Sequence, residues 1–155
     1  MKQTVLCYLE KDESYLMLHR IKKKNDVNFH KWIGIGGKFE EGESPEECAK
    51  REILEETGLT VEDLKYRGIV TFDCPPYETD YMHLFTATQF SGKLIECDEG
   101  NLEWIKKNDL KNTELWEGDY IFLNLIEENA PFFSLKLSYD GDALVCAILN
   151  GEKIR

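Results

Sequence analysis

The chain has 155 residues, enough for one domain with its own core, and its 30 acidic against 19 basic residues leave a formal net charge of −11. That balance argues against broad binding to a nucleic-acid backbone, which needs a basic face, but leaves room for a small phosphorylated ligand held through a divalent cation. The first apolar run is too short to cross a membrane and no export signal is evident, so the default expectation is a cytoplasmic protein without membrane or nucleic-acid partners.

In chain order, residues 3–9 and 14–19 read as two strands joined by the polar turn EKDES. The stretch RIKKKNDVNFHK is too hydrophilic for a core and reads as a surface loop. WIGIGGKFEEGES then brings four glycines, and those at 34, 36 and 37 are expected to let the backbone pass close to a ligand. A helix over 45–57 is well signposted: Ser44 as N-cap, Pro45 in the first position, Glu47 completing a capping box and Gly58 as the stop. Further strands are expected at 66–73, 80–90 and 101–107. A second amphipathic helix is expected at 117–129, with Tyr120, Ile121, Leu125 and Phe122 as its inward side chains. The tail reads as a hairpin turning at Asp140-Gly141. These elements predict an α/β fold, a mixed sheet sandwiched by helices. The five cysteines form no C-x-x-C pair and the three histidines lack zinc-site spacing, so most cysteines are expected in the core.

The stretch AKREILEETGL poses a chemical question. Glu52, Glu55 and Glu56 stand at i, i+3 and i+4, where like charges cost an isolated helix roughly 0.2–0.5 kcal/mol per pair. They border the expected core face of Ala49, Ile53 and Thr57, and Arg51 offsets only part of their charge. Taken alone, such a run is more often a solvated acidic face than a set of oxygen ligands for a hard cation, and the context decides.

The surrounding 37–59 segment, GKFEEGESPEECAKREILEETGL, resembles the Nudix box, G-x5-E-x7-R-E-U-x-E-E-x-G-U. Gly37, Glu43, Arg51, Glu52, Ile53, Glu55, Glu56, Gly58 and Leu59 fill every defined position. The resemblance implies a single domain over 1–155, a Nudix-type α/β/α sandwich, that hydrolyses nucleoside diphosphates linked to another group. It also implies Mg²⁺, with Mn²⁺ as a substitute, held by Glu52, Glu55, Glu56 and the Gly37 carbonyl. Glu52 is the expected general base, Arg51 orients the carboxylates with Glu56 beside them, and Glu43 supports the loop–helix junction. A further acid is expected from ECDEGNLEW, where Glu99 is preferred over Glu96, Asp98 and Glu103. Lys38 and Arg20 are candidate phosphate contacts.

TELWEGDYIF resembles the base-contacting segment of oxidised-purine nucleoside triphosphatases, with Trp116 stacking on a purine, Asp119 bonding its edge and Phe72 lining the pocket. The chain departs from the mammalian members by carrying Ile33 in place of an Asn. The implied activity resembles that of bacterial MutT-like 8-oxo-dGTP diphosphatases, which remove oxidised nucleotides before they cause mutation. ADP-ribose, a nucleotide sugar or a pterin triphosphate are alternative substrates for the same chemistry. An inactive nucleotide-sensing or protein-binding domain is the alternative outside catalysis.

Overall fold

The computed structural model describes residues 1–155. In chain order it contains β1 (Lys2–Lys11), β2 (Ser14–His19), β3 (Trp32–Ile33), β4 (Ile35–Lys38), α1 (Pro45–Thr57), β5 (Leu59–Val61), β6 (Lys65–Asp73) and β7 (Asp80–Ala87). There follow β8 (Phe90–Gly92), β9 (Asn101–Lys106), a 3₁₀ turn (Lys107–Asn112), α2 (Asp119–Glu127), β10 (Phe133–Asp140), β11 (Ala143–Leu149) and β12 (Glu152–Lys153).

β1 positions the rest. It pairs in parallel with β7 and antiparallel with β4, and then bends through Asp12 and Glu13 into the β2 hairpin. Beyond β7 the mixed sheet continues through β6, β10, β11 and β12, while β2 carries β3 and β9. β5 and β8 form a small separate ribbon. Because β1 and β2 are covered on both faces, their apolar residues run continuously and divide by alternation. Val5, Cys7, Leu9, Leu16 and Leu18 pack with Cys48, Ala49 and Ile53 of α1. Leu6, Tyr8, Tyr15 and Met17 pack with Phe122, Leu123 and Ile126 of α2. The α/β/α sandwich follows directly.

The expected elements are present, with instructive shifts. α1 has the expected bounds because its stop and start signals are local: the Ser44 hydroxyl accepts from the Glu47 amide at 3.1 Å, and the Glu47 carboxylate accepts from the Ser44 amide at 2.9 Å. Gly58 takes a left-handed φ of 80° that a side chain would strain. The strand expected over 80–90 breaks after Ala87, where the Asp63 carboxylate gathers the amides of Thr88 and Gln89 into a turn. The tail hairpin turns at Gly141 and Asp142, one residue later than expected. α2 also differs. It starts at Asp119, and its buried face is Asp119, Phe122, Leu123 and Ile126, with Tyr120, Ile121 and Leu125 only half-buried. The reason is tertiary: the Gly118 amide donates to the Tyr139 hydroxyl at 2.8 Å, and a Cβ there would sit 2.6–2.8 Å from Leu137 and Tyr139. That contact presses the start of α2 onto β10 and fixes its rotation. Four of the five cysteines are buried, and all are free thiols.

Replacing Ser44 by Ala removes one bond of the capping box without touching the core. Thermal unfolding should show a loss of about 1 kcal/mol, or roughly 2–4 °C for a chain of this size.

Candidate active site

α1 lies against β4, and the glutamates are set by that contact. The Gly36 amide donates to Glu56 Oε2 at 3.2 Å. A Cβ on Gly37 would collide with the Glu52 carboxyl, and a Cβ on Gly36 would collide with the Val5 carbonyl. At Gly34 it would meet the Cys7 carbonyl at 2.9 Å. The glycines therefore let β4 approach β1 and α1.

Arg51 is the hub of the acidic cluster. Its guanidinium donates to both oxygens of Glu43 (2.7 and 2.8 Å), to Glu52 at 2.8 Å, to Glu55 at 3.1 Å and to the Lys38 carbonyl at 3.0 Å. The pairing with Arg51 holds Glu43 down at about 2. Glu56 stands apart from that hub. Burial, reinforced by the neighbouring Glu52 charge, pushes its carboxyl up to about 8. Burial also raises Glu52, against the pull of Arg51.

Glu52, Glu56, Glu99 and Gly37 line one cleft of about 400 Å³. Of the acids in ECDEGNLEW, Glu99 is the one that reaches it. Arg20 lines the same cleft but is already paired, with Asp26 at 2.6 Å and Glu99 at 3.1 Å. Lys38 stands at its edge, exposed and outside any ion pair of the structure. Glu55 does not line the cleft; its side chain is 59% exposed and turned to Arg51. No three acidic, His or Cys side chains already form a closed cage for an ion. The donor set nevertheless fits a hard divalent cation: all the candidate ligands are oxygens, and two of the carboxyls are held above their ordinary range, Glu52 by burial and Glu56 by burial and the Glu52 charge.

The cleft continues into a recess of about 80 Å³, the two sharing Lys2, Leu6, Val27, Asn28, Ile33, Asp80 and Met82. The recess holds Phe72, Trp116 and Asp119, the three residues expected at a base pocket. Trp116 is buried as a wall, not left as an open platform. Its indole N–H donates to Asn28 Oδ1 at 2.7 Å, Lys31 Nζ lies 4.8 Å from its ring, and Phe72 and Tyr139 meet it in T-shaped contacts. Asp119 is buried with no hydrogen bond to its carboxyl, and desolvation lifts it to about 8 against the distant charge of Lys31. A larger groove, about 550 Å³, is lined by Leu59, Phe90 and Trp104 and by none of these acids.

Two residues of this site escape the sequence reading. Asn28 lies in RIKKKNDVNFHK, whose polarity points to a surface loop; yet Lys31 from the same stretch is buried and Asn28 faces the recess. Asp80 could have been found, because it occupies the inward register of a strand whose next inward positions are Met82 and Leu84.

Residues 2–126 match the family described as the NUDIX domain. The chain is 35% identical over 112 residues to the oxidized purine nucleoside triphosphate hydrolase of Danio rerio, covering 71% of each protein. The Mus musculus protein of the same name is 34% identical over the same shares. The solved structure of a MutT protein from Bacillus halodurans superposes with a TM-score of 0.80 at 27% identity, covering 98% of this chain and 99% of that one.

The raised Asp119 carboxyl has a measurable consequence. With its native value near 8 and an unfolded value near 4, the native state keeps a proton that the unfolded chain gives up between those limits. Its contribution to stability is therefore most favourable below about pH 4 and is lost as pH rises toward about 8. Urea unfolding of Asp119→Asn should show the variant gaining on the parent chain steadily between pH 5 and pH 8.5.

Proposed function

The chain belongs to the Nudix family of hydrolases, and on that premise we propose that it cleaves oxidised purine nucleoside triphosphates, 8-oxo-dGTP foremost, to the monophosphate and pyrophosphate with Mg²⁺. The observation that carries this reading is the continuity of the acidic cleft of Glu52, Glu56 and Glu99 with the mainly apolar recess lined by Phe72, Trp116 and Asp119. The two ends of one groove suit the two ends of a nucleotide. The names of the vertebrate relatives point the same way.

Glu52, Glu56, Glu99 and the Gly37 carbonyl would hold the ion, with Glu55 swinging in from Arg51. Bound Mg²⁺ supplies charge to screen the phosphates and acidify water. Glu52 accepts the proton of the attacking water; burial raises its carboxyl, which makes it a stronger base than a solvated glutamate. Arg51 is a positioning residue: with two bonds on Glu43 and one on Glu52, it holds the base at a fixed place on α1. Lys38 is free to meet the triphosphate, whereas Arg20 must first share its bond to Glu99. In the recess, Phe72 and Trp116 wall the base and Asp119 bonds its edge. Ile33 contributes apolar contact only, so Asp119 carries more of the polar recognition than it would beside an amide.

A turnover panel with Mg²⁺ that resolves pyrophosphate from phosphate tests the assignment. 8-oxo-dGTP should exceed dGTP in kcat/KM and release pyrophosphate; faster hydrolysis of ADP-ribose than of any triphosphate would refute the purine-pocket reading. In the same assay Glu52→Gln should lose about 10²-fold or more in kcat, and a variant keeping over about a tenth of the rate would transfer the base role to Glu56. Mg²⁺ should also raise the melting temperature through preferential binding to the folded chain. That rise should be larger at pH 8.5 than at pH 6, because the Glu56 proton must leave as the ion arrives. It should shrink in Glu56→Gln.

A further inference from the structure

β7 lays alternate residues on the α2 side of the sheet. Met82 and Leu84 keep that strip apolar, and the next position toward the start of the strand is Asp80. Its register partners are Phe72 on β6 and Lys2 on β1, so its side chain shares a face with the recess wall. A carboxyl here has lost much of its water, and burial lifts it above the ordinary aspartate range. The protein compensates it once: the Thr4 hydroxyl donates to Oδ1 at 2.7 Å. Lys2 and Lys38 favour its charge only from a distance. A half-satisfied carboxyl is costly to keep, and the next inward positions of its own strand, like its β6 partner Phe72, are apolar. Asp80 lines both the cleft and the recess, so a nucleotide lying along the groove passes it.

We propose that Asp80 determines specificity, its free oxygen accepting the N7–H that an 8-oxopurine carries and an ordinary purine lacks. The proposal rests on the oxidised-purine reading above. Oxidation at C8 converts N7 from a lone-pair acceptor into an N–H donor. An ionised carboxyl can only accept, so it attracts the oxidised base and repels the ordinary one at the same atom. Discrimination of this kind has an attractive and a repulsive element in a single group. Asp119, on the α2 wall, is left to the other polar groups of the base.

Two variants test this by kcat/KM for 8-oxo-dGTP and dGTP. Asp80→Asn keeps the shape and the Thr4 bond but can donate to the N7 lone pair; it should raise dGTP turnover and lower the 8-oxo-dGTP/dGTP ratio by about tenfold or more. Asp80→Leu should also lower the ratio, chiefly by weakening 8-oxo-dGTP, while its melting temperature rises because an underbonded carboxyl has left the wall. The two variants together guard against misfolding as the cause. If both triphosphates change in parallel, or the ratio holds in both variants, Asp80 has no part in reading N7. The unmodified protein separates the two levels of failure. A ratio near one there sinks the oxidised-purine reading and Asp80 with it, whereas a high ratio that survives both variants sinks Asp80 alone.

Discussion

Crowding of negative charge on α1 is the constraint around which the site is built. Glu52 and Glu56 face a half-buried cleft in which carboxylates repel each other and have lost solvent. The fold makes this tenable through Arg51, whose fork is anchored on Glu43 and on the Lys38 carbonyl before it reaches Glu52. Glu43 is in turn held by the Glu40 amide at 2.7 Å, so the guanidinium is fixed from the loop before the helix. An isolated i,i+4 pair with Glu55 could not do this: an exposed pair adds only a few tenths of a kcal/mol and leaves both partners mobile. What remains falls on Glu56, which Arg51 does not touch: its carboxyl is pushed up to about 8 and keeps its proton near neutral pH. A divalent cation would relieve it there.

The legibility of this arrangement in the sequence tracks how local each cause is. α1 is readable to the residue because Ser44, Glu47 and Gly58 act within one turn of its ends. The approach of β4 to the helix is readable in outline, since only glycine fits where Gly36 meets β1 and Gly37 meets Glu52, though which partner requires it is a matter of sheet pairing. The rotation of α2 is not readable. Its residues are apolar nearly all round, and the face is chosen by Gly118 pressing on Leu137 and Tyr139, some twenty positions away. The recess is intermediate: Trp116 and Asp119 are visible by resemblance, while Asn28 sits in a stretch whose composition points outward.

The same polar stretch ties the two ends of the groove together. The Trp116 indole donates to Asn28 Oδ1; the Asn28 backbone N–H donates to Asp26 Oδ1 at 3.1 Å; Asp26 Oδ2 accepts from Arg20 at 2.6 Å; and Arg20 meets Glu99 at 3.1 Å. The wall of the recess and the outlying acid of the cleft are thus joined by consecutive bonds through residues 20–28. Arg20 and Asp26 are both largely shielded from solvent, so this pairing is screened less than a surface one. An arginine drawn toward a triphosphate would loosen its hold on Glu99 as the anion arrives. Under the proposed reaction, that would free the acid for the ion as the anion binds.

Stability and recognition pull in opposite directions along this groove. Asp119 and Asp80 each put a carboxyl on an apolar wall, the first with no bond to its oxygens and the second with one. Nothing in the packing of α2 or β7 needs them, since the neighbouring inward positions are filled by Phe122, Leu123, Met82 and Leu84. A fold selected for stability alone would put leucine or methionine at both. Buried polar groups left underbonded in the free protein are, by contrast, what a site needs to reject a ligand that cannot complete their bonds. The cost is carried by two well-packed layers, one on each face of β1 and β2, so that in the proposed reading the core supplies the stability from which the groove would draw its selectivity.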